Sequence, residues 1–176
     1  MARVYFEENQ RFNQPWIWIL MIGITVLTLG GLIYASIINL TGNENVNTET
    51  DVQALIYALV FTFIINVAIY WLLLSIRLYT RVENDGIHYR FPPIINKWKQ
   101  ISKKELKSHK VRKYSPLKEY GGWGYRISKH GKALNVRGNM GLDMELNDGK
   151  KLLLGTQKPE ELKLALQKLY EDKTEY

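Results

Sequence analysis

The chain contains no cysteine, which excludes a disulfide framework, a thiolate nucleophile, a thiolate zinc site and a cysteine-ligated iron–sulfur cluster. Histidine is scarce as well. His88, His109 and His130 are the only three in 176 residues, and their spacing matches no metal-ligand pattern. There is no Walker A run, and GGWGY lacks the third glycine and the strand-to-helix setting of a dinucleotide fingerprint. No serine lies in a nucleophile motif. Asp143 and Glu145 stand two apart on one strand face, but alternation makes that face the solvent side of a hairpin. Nothing there separates the two carboxylates into acid and base. The residues read as a non-enzyme and call for no cofactor and no metal.

Charge is absent from two long stretches. Pro15 to Leu40 and Val52 to Ile76 contain no Asp, Glu, Lys or Arg, and each exceeds the roughly 20 apolar residues that span a bilayer core of about 30 Å. The mean hydropathy of −0.21 conceals them, because most of the charge lies after residue 77. A signal peptide has a shorter apolar region and a cationic leader, whereas Arg3 and Arg11 are here balanced by Glu7 and Glu8. The first run therefore reads as a retained helix.

These runs divide the chain into a cytoplasmic segment 1–14, a first transmembrane helix 15–40, an external loop 41–51, a second transmembrane helix 52–76 and a cytoplasmic domain 77–176. The loop carries Glu44, Glu49 and Asp51 with no Lys or Arg, while Arg77 and Arg81 open a lysine-rich stretch. The positive-inside rule then puts both termini in the cytoplasm. Tyr5, Phe6, Phe12, Trp16 and Trp18 read as an interfacial aromatic belt. Gly31 with Ala35 and Ala54 with Ala58 have the small-xxx-small spacing that lets helices approach closely. Asn66 is the one strongly polar side chain deep in a span, and Thr25, Thr28 or a backbone carbonyl can satisfy it.

After Arg77 the pattern changes to short alternating runs. Leu78–Val82 and Ile87–Phe91 flank Glu83, Asn84, Asp85 and Gly86, a hairpin signal because Asp-Gly suits the positive φ of a tight turn. Leu142, Met144 and Leu146 alternate with Asp143 and Glu145 before a turn into Lys150–Leu154. Lys97–Ile101, Leu106–Tyr114, Gly124–Ser128 and Ala133–Arg137 supply further strands. Leu162, Ala165, Leu166 and Leu169 fall at i, i+3, i+4 and i+7, one apolar stripe on a closing helix.

LYTRVENDGIHYRF, GGWGYRI and GLDMELNDGKKLLLGTQKPEELKLAL, in that order, resemble the bacterial pleckstrin-homology-like domain found in small bacterial membrane proteins. The resemblance covers residues 77 to 172 and implies a mainly β, α+β barrel of about seven strands capped by a C-terminal helix, used for binding more than for catalysis. In the phosphoinositide-binding members of the wider fold the first hairpin loop is basic. Here it holds Glu83 and Asp85, which argues against inositol-phosphate recognition at that loop.

Between Arg77 and Lys118 twelve cationic residues stand against Glu83, Asp85 and Glu105. That is a local +9, leaving −2 for the rest of a chain whose formal charge is +7. Lys97, Lys99, Lys103, Lys104, Lys107, Lys110, Arg112 and Lys113 are the candidates for contact with anionic lipid headgroups or an acidic protein partner. The same charges also serve topology, by holding the domain inside. Nucleic acid ranks below both, because Trp98 and Tyr114 interleave the charges without any reading motif. The expected function is a membrane-anchored binding or scaffold protein of the bacterial inner membrane, with a protein partner or a second copy. The alternative is an accessory subunit of a secretion, transport or respiratory complex, docked through Gly31, Ala35, Ala54, Ala58 and Asn66.

Overall fold

The computed structural model describes residues 3–42 and 48–171. The chain forms two compact units. One is Gln14–Leu73; the other joins Met1–Asn13 to Leu74–Tyr176.

The first unit is a pair of antiparallel helices, α1 (Pro15–Gly42) and α2 (Thr48–Ser75), each longer than its uncharged core. Both hold a candidate membrane span, Pro15–Ile38 and Val52–Ser75, with mean hydropathy 2.2 and only 6% of that window buried. A soluble core helix of this composition would be covered on all sides. The helices meet along a seam at heptad-like spacing: Trp18, Met21, Thr25, Leu29, Leu32 and Ser36 face Leu55, Leu59, Thr62, Asn66, Tyr70 and Leu73. Trp18 stacks on Tyr70 at 6.0 Å, and Thr25 Oγ1 donates to Asn66 Oδ1 at 2.8 Å. The small residues expected at this seam do not form it: Gly31, Ala35 and Ala54 are exposed, and only Ala58 is half-buried. Long side chains and one polar pair hold the hairpin instead. α1 runs to Gly42 and α2 starts at Thr48, so both reach into the expected loop 41–51, and the residues between them lie outside the described residues.

The second unit holds nine strands among the described residues, in two sheets. The first is an antiparallel meander of β1 (Val4–Arg11), β2 (Arg77–Glu83), β3 (Gly86–Phe91) and β4 (Ile95–Ser102). The second has the order β5-β8-β9-β7-β6, from β5 (Leu106–Lys113), β6 (Gly124–Ser128), β7 (Gly131–Asn135), β8 (Met140–Leu146) and β9 (Lys151–Thr156), with β7 and β9 parallel. A short helix α3 (Pro116–Tyr120) and the closing helix α4 (Pro159–Glu171) complete it. The expected barrel of about seven strands is thus replaced by two separate sheets, with no closed barrel. Within the second sheet β7 and β9 pair in parallel, whereas the other neighbouring strands are antiparallel.

The expected N-terminal segment 1–14 holds a strand that belongs to the second unit. Val4–Arg11 is the edge strand of the first sheet, paired with β2 across the whole helical hairpin: Glu7 opposite Arg81, Asn9 opposite Tyr79, Arg11 opposite Arg77. Phe6, read as interfacial, is 5% exposed in the shared core, with Tyr5 and Phe12 packed against it. That core lies between the sheets, where Leu78, Val82, Ile87 and Phe91 meet Leu134, Leu142, Met144 and Leu154. The expected stripe of α4, Leu162, Ala165, Leu166 and Leu169, is buried there too, and α4 lies against β1, β2 and β5. Gly86, at φ +148, closes the β2–β3 turn, and a Cβ there would lie 2.2 Å from the carbonyl oxygen of Ile101.

Candidate functional site: a cationic and aromatic sheet face

Strand alternation decides where the cationic side chains go. On β1 and β2, Phe6, Leu78 and Val82 point into the core, so Glu7, Asn9, Arg11, Arg77, Tyr79 and Arg81 line the outer face. Pairing carries this face across the sheet, Tyr79 to Arg90, Arg81 to His88 and His88 to Gln100. Trp98, between Lys97 and Lys99, lies on the same side and is 38% exposed. The result is a ladder of four arginines and two aromatics.

Its contacts are specific. The Arg90 guanidinium carbon lies 4.2 Å from the centre of the Tyr79 ring and 5.1 Å from that of Trp98, and the Arg81 carbon lies 4.8 Å from Trp98. Arg77 Nη1 donates to the Tyr79 hydroxyl at 3.5 Å, and this bond, more than the nearby positive charge, holds the Tyr79 pKa below its ordinary value. Arg81 donates from Nε and Nη2 to Glu7 Oε1. Among the described residues Arg11, Arg77 and Arg90 have no carboxylate within ion-pair distance, and the buried Nε of Arg90 has no hydrogen-bond partner. Planar guanidiniums stacked on rings keep their N–H edges free for anions.

The eight cations expected from the sequence do not gather into one patch. Lys97 and Lys99 point to the opposite side of β4 from Trp98, and Lys103 and Lys104 lie on the β4–β5 turn. Lys110 and Arg112 face outward from the second sheet, while Lys113 is exposed at the end of β5. Lys107 is paired with Glu145. Arg112 bridges Asp143 at 2.7 Å and Glu119 at 2.8 Å, so its charge is offset twice and its pKa is raised, first by Glu119. The Arg77–Tyr79–Arg81 alternation was visible as R-x-Y-x-R in a strand. Arg11 joins only through the long-range pairing of β1.

Several other polar side chains singled out by the sequence take part in structural contacts. Asp143 and Glu145 are held by Arg112 and Lys107. His109 stacks on Tyr170 at 4.9 Å, and burial lowers its pKa. Glu83, Asp85 and His88 bring one ligand atom each within 4.8 Å, the one such trio among the described residues. Asp85 there accepts from Gln100 at 2.9 Å and lies 2.8 Å from His88 Nε2, so the trio braces the β2–β3 turn. Asn66 is used inside the hairpin, donating to the Thr62 carbonyl oxygen and accepting from Thr25.

A family described as "Family of unknown function (DUF6141)" matches residues 5–170. The chain belongs to that family. Its span opens within β1 and closes within α4, so the N-terminal strand, both helices and both sheets form one evolutionary unit. No curated protein and no solved structure matches the chain.

Proposed function

We propose that this chain is a non-enzymatic binding module of the bacterial inner membrane. Its helical hairpin crosses the bilayer with both termini in the cytoplasm, and its two-sheet domain docks a cationic face on anionic headgroups. In this reading the domain is a variant of the pleckstrin-homology-like plan: an antiparallel meander, a second sheet and a closing C-terminal helix, with the membrane anchor inserted between the first two strands.

One observation carries the proposal. The arginine and aromatic face begins at the Arg11–Arg77 rung, and those residues lie four before Pro15 and two after Ser75 in the chain. The first rung is therefore tied to the ends of the two apolar helices. Each Lys or Arg close to an anionic leaflet contributes about 1 kcal/mol, within a screening length of about 8 Å at physiological ionic strength. Lys103 and Lys104, on the β4–β5 turn, add charge that no carboxylate offsets among the described residues, while Lys110 and Arg112 face outward from the second sheet and Lys107 is paired with Glu145.

The test is native mass spectrometry of the full chain released from nanodiscs of mixed phosphatidylcholine and phosphatidylglycerol. Wild type is expected to retain phosphatidylglycerol selectively, and Arg77→Ala or Arg90→Ala to weaken retention roughly five-fold each. Equal retention of the two lipids, or arginine variants that behave as wild type, would refute the proposal. A protein copurifying from native membranes in place of lipid would favour the accessory-subunit reading.

A further inference from the structure

The two sheets part on the side away from α4. In strand order α4 covers β1, β2 and β5, whereas a cleft of about 680 Å³ opens among β3, β4, the β6–β7 turn, β9 and the β8–β9 turn. Its size is that of a small-molecule site. Tyr89, Ile101, Leu146 and Leu152 supply apolar surface, and Ile127, 73% exposed, extends it at the mouth. Lys99, Lys129, Lys132, Lys150 and Lys151 surround this surface, against Glu105 as the one lining carboxylate.

Two features mark a built site rather than a gap in packing. Tyr89 is only 8% exposed, yet its hydroxyl makes no hydrogen bond with any described residue, and it lines the cleft beside its cross-strand neighbour Lys99. Its oxygen is not among the fully buried atoms that lack a partner, so the hydroxyl opens into the cleft, where a ligand can accept from it. Burial also raises its pKa, so it stays a neutral O–H donor. The second feature is the wall. Gly131 (φ +105) lets the β6–β7 turn press on β9 so closely that a Cβ there would lie 2.5 Å from the carbonyl oxygen of Lys151. Its neighbours Lys129 and Lys132 are thereby set at the rim.

We propose that this cleft binds one molecule of an anionic amphiphile, a single acyl chain on the apolar surface with its carboxylate or phosphate head among the rim lysines and the Tyr89 hydroxyl. Charge complementarity fixes the sign of the head, and the apolar floor requires a chain. Apart from Lys99 the rim lies on the second sheet, so the site works independently of the arginine face. Ligand capture here is distinct from docking on the leaflet.

The experiment uses the full chain in phosphatidylcholine nanodiscs, labelled with a diazirine-bearing fatty acid and mapped by mass spectrometry. Labels on the two apolar helices report the bilayer background. Labels on β3, β4 or β9 report the cleft, and unlabelled fatty acid or lysophosphatidylglycerol is expected to compete them away, while lysophosphatidylcholine and inorganic phosphate are not. Lys99→Glu with Lys129→Glu is expected to cut cleft labelling roughly ten-fold. Tyr89→Phe, which keeps the ring, is expected to cut it several-fold. Arg90→Ala, which weakens leaflet docking, leaves cleft labelling unchanged. Labels confined to the helices, equal labelling by the matching neutral alcohol, displacement by phosphate alone, or indifference to the lysine reversals would each overturn the proposal.

Discussion

Glu8 shows how one residue ties the N-terminal strand to the distant end of the second sheet. Its side chain accepts from Thr156 Oγ1 at 2.7 Å and from the Gln157 N–H at 2.8 Å, while Gln10 Nε2 donates to the Gly155 carbonyl oxygen at 2.7 Å. Glu8 is 5% exposed, and desolvation raises its pKa above the ordinary 4.5 despite those hydrogen bonds. A folded state that binds its proton more tightly than the unfolded chain loses stability as pH rises through the window from 4.5 up to the raised value. His109 acts in the opposite sense below 6.5, because burial lowers its pKa and the unfolded chain protonates first. The Glu8 contribution is therefore read by difference. Relative to wild type, Glu8→Gln is expected to lose the fall in stability just above pH 4.5 and to keep the rise attributable to His109. Parallel melting-temperature profiles for the two proteins from pH 4 to 7 would contradict this.

Among elements, β1 has the largest consequence for how the protein is handled. A fragment starting at residue 77 lacks the edge strand that covers Leu78 and Val82, so it is expected to expose core and aggregate. Joining residues 1–13 to 76–176 through a short turn restores a β1–β2 hairpin and is expected to give a cooperatively unfolding domain. Phe6→Ala in that chain is expected to cost about 3 to 5 kcal/mol, measured by urea denaturation. A fragment 77–176 as stable as the joined chain would remove β1 from the fold. The strand was hidden in the sequence for a physical reason. Its inward positions Phe6, Glu8 and Gln10 are mostly polar, as are the outward Glu7, Asn9 and Arg11, so no period-two hydrophobic signal exists. Its hydrogen-bond partners lie across the whole helical hairpin. By contrast, the β2–β3 and β8–β9 hairpins and the α4 stripe were legible, since turn residues and apolar spacing specify them locally. The helix α3 was missed because five residues carry no period, although Ser115 ahead of Pro116 is an N-cap signal. The candidate site was half legible. Composition marked the stretch 77–118, which holds Arg77, Arg81, Arg90 and Lys99, but Arg11 and the rim lysines Lys129, Lys132, Lys150 and Lys151 lie outside it, and only alternation and pairing assemble the arginine face.

For the whole molecule, the chain leaves the first sheet after Arg11 and re-enters it at Arg77, two residues that pair with each other. On the proposed reading, in which the two apolar helices cross a bilayer, the pairing of their flanks requires both to lie on the same side of it. This pairing also makes the folding of the two-sheet domain depend on completion of the hairpin, because β1 waits for β2 until both helices have been made. This dependence distinguishes the chain from a soluble domain appended to an anchor, and the family span from residue 5 to 170 is consistent with it. The absence of native cysteine makes the arrangement directly measurable. Single substitutions Asn9→Cys on β1, Lys104→Cys on the β4–β5 turn and Asn45→Cys in the connector would each be treated with a membrane-impermeant maleimide, in intact and in permeabilised cells. The account predicts that Asn45→Cys is labelled in intact cells, and that Asn9→Cys and Lys104→Cys are labelled together and only after permeabilisation. Labelling of Asn9→Cys or Lys104→Cys in intact cells, or a different sidedness for the two, would contradict it.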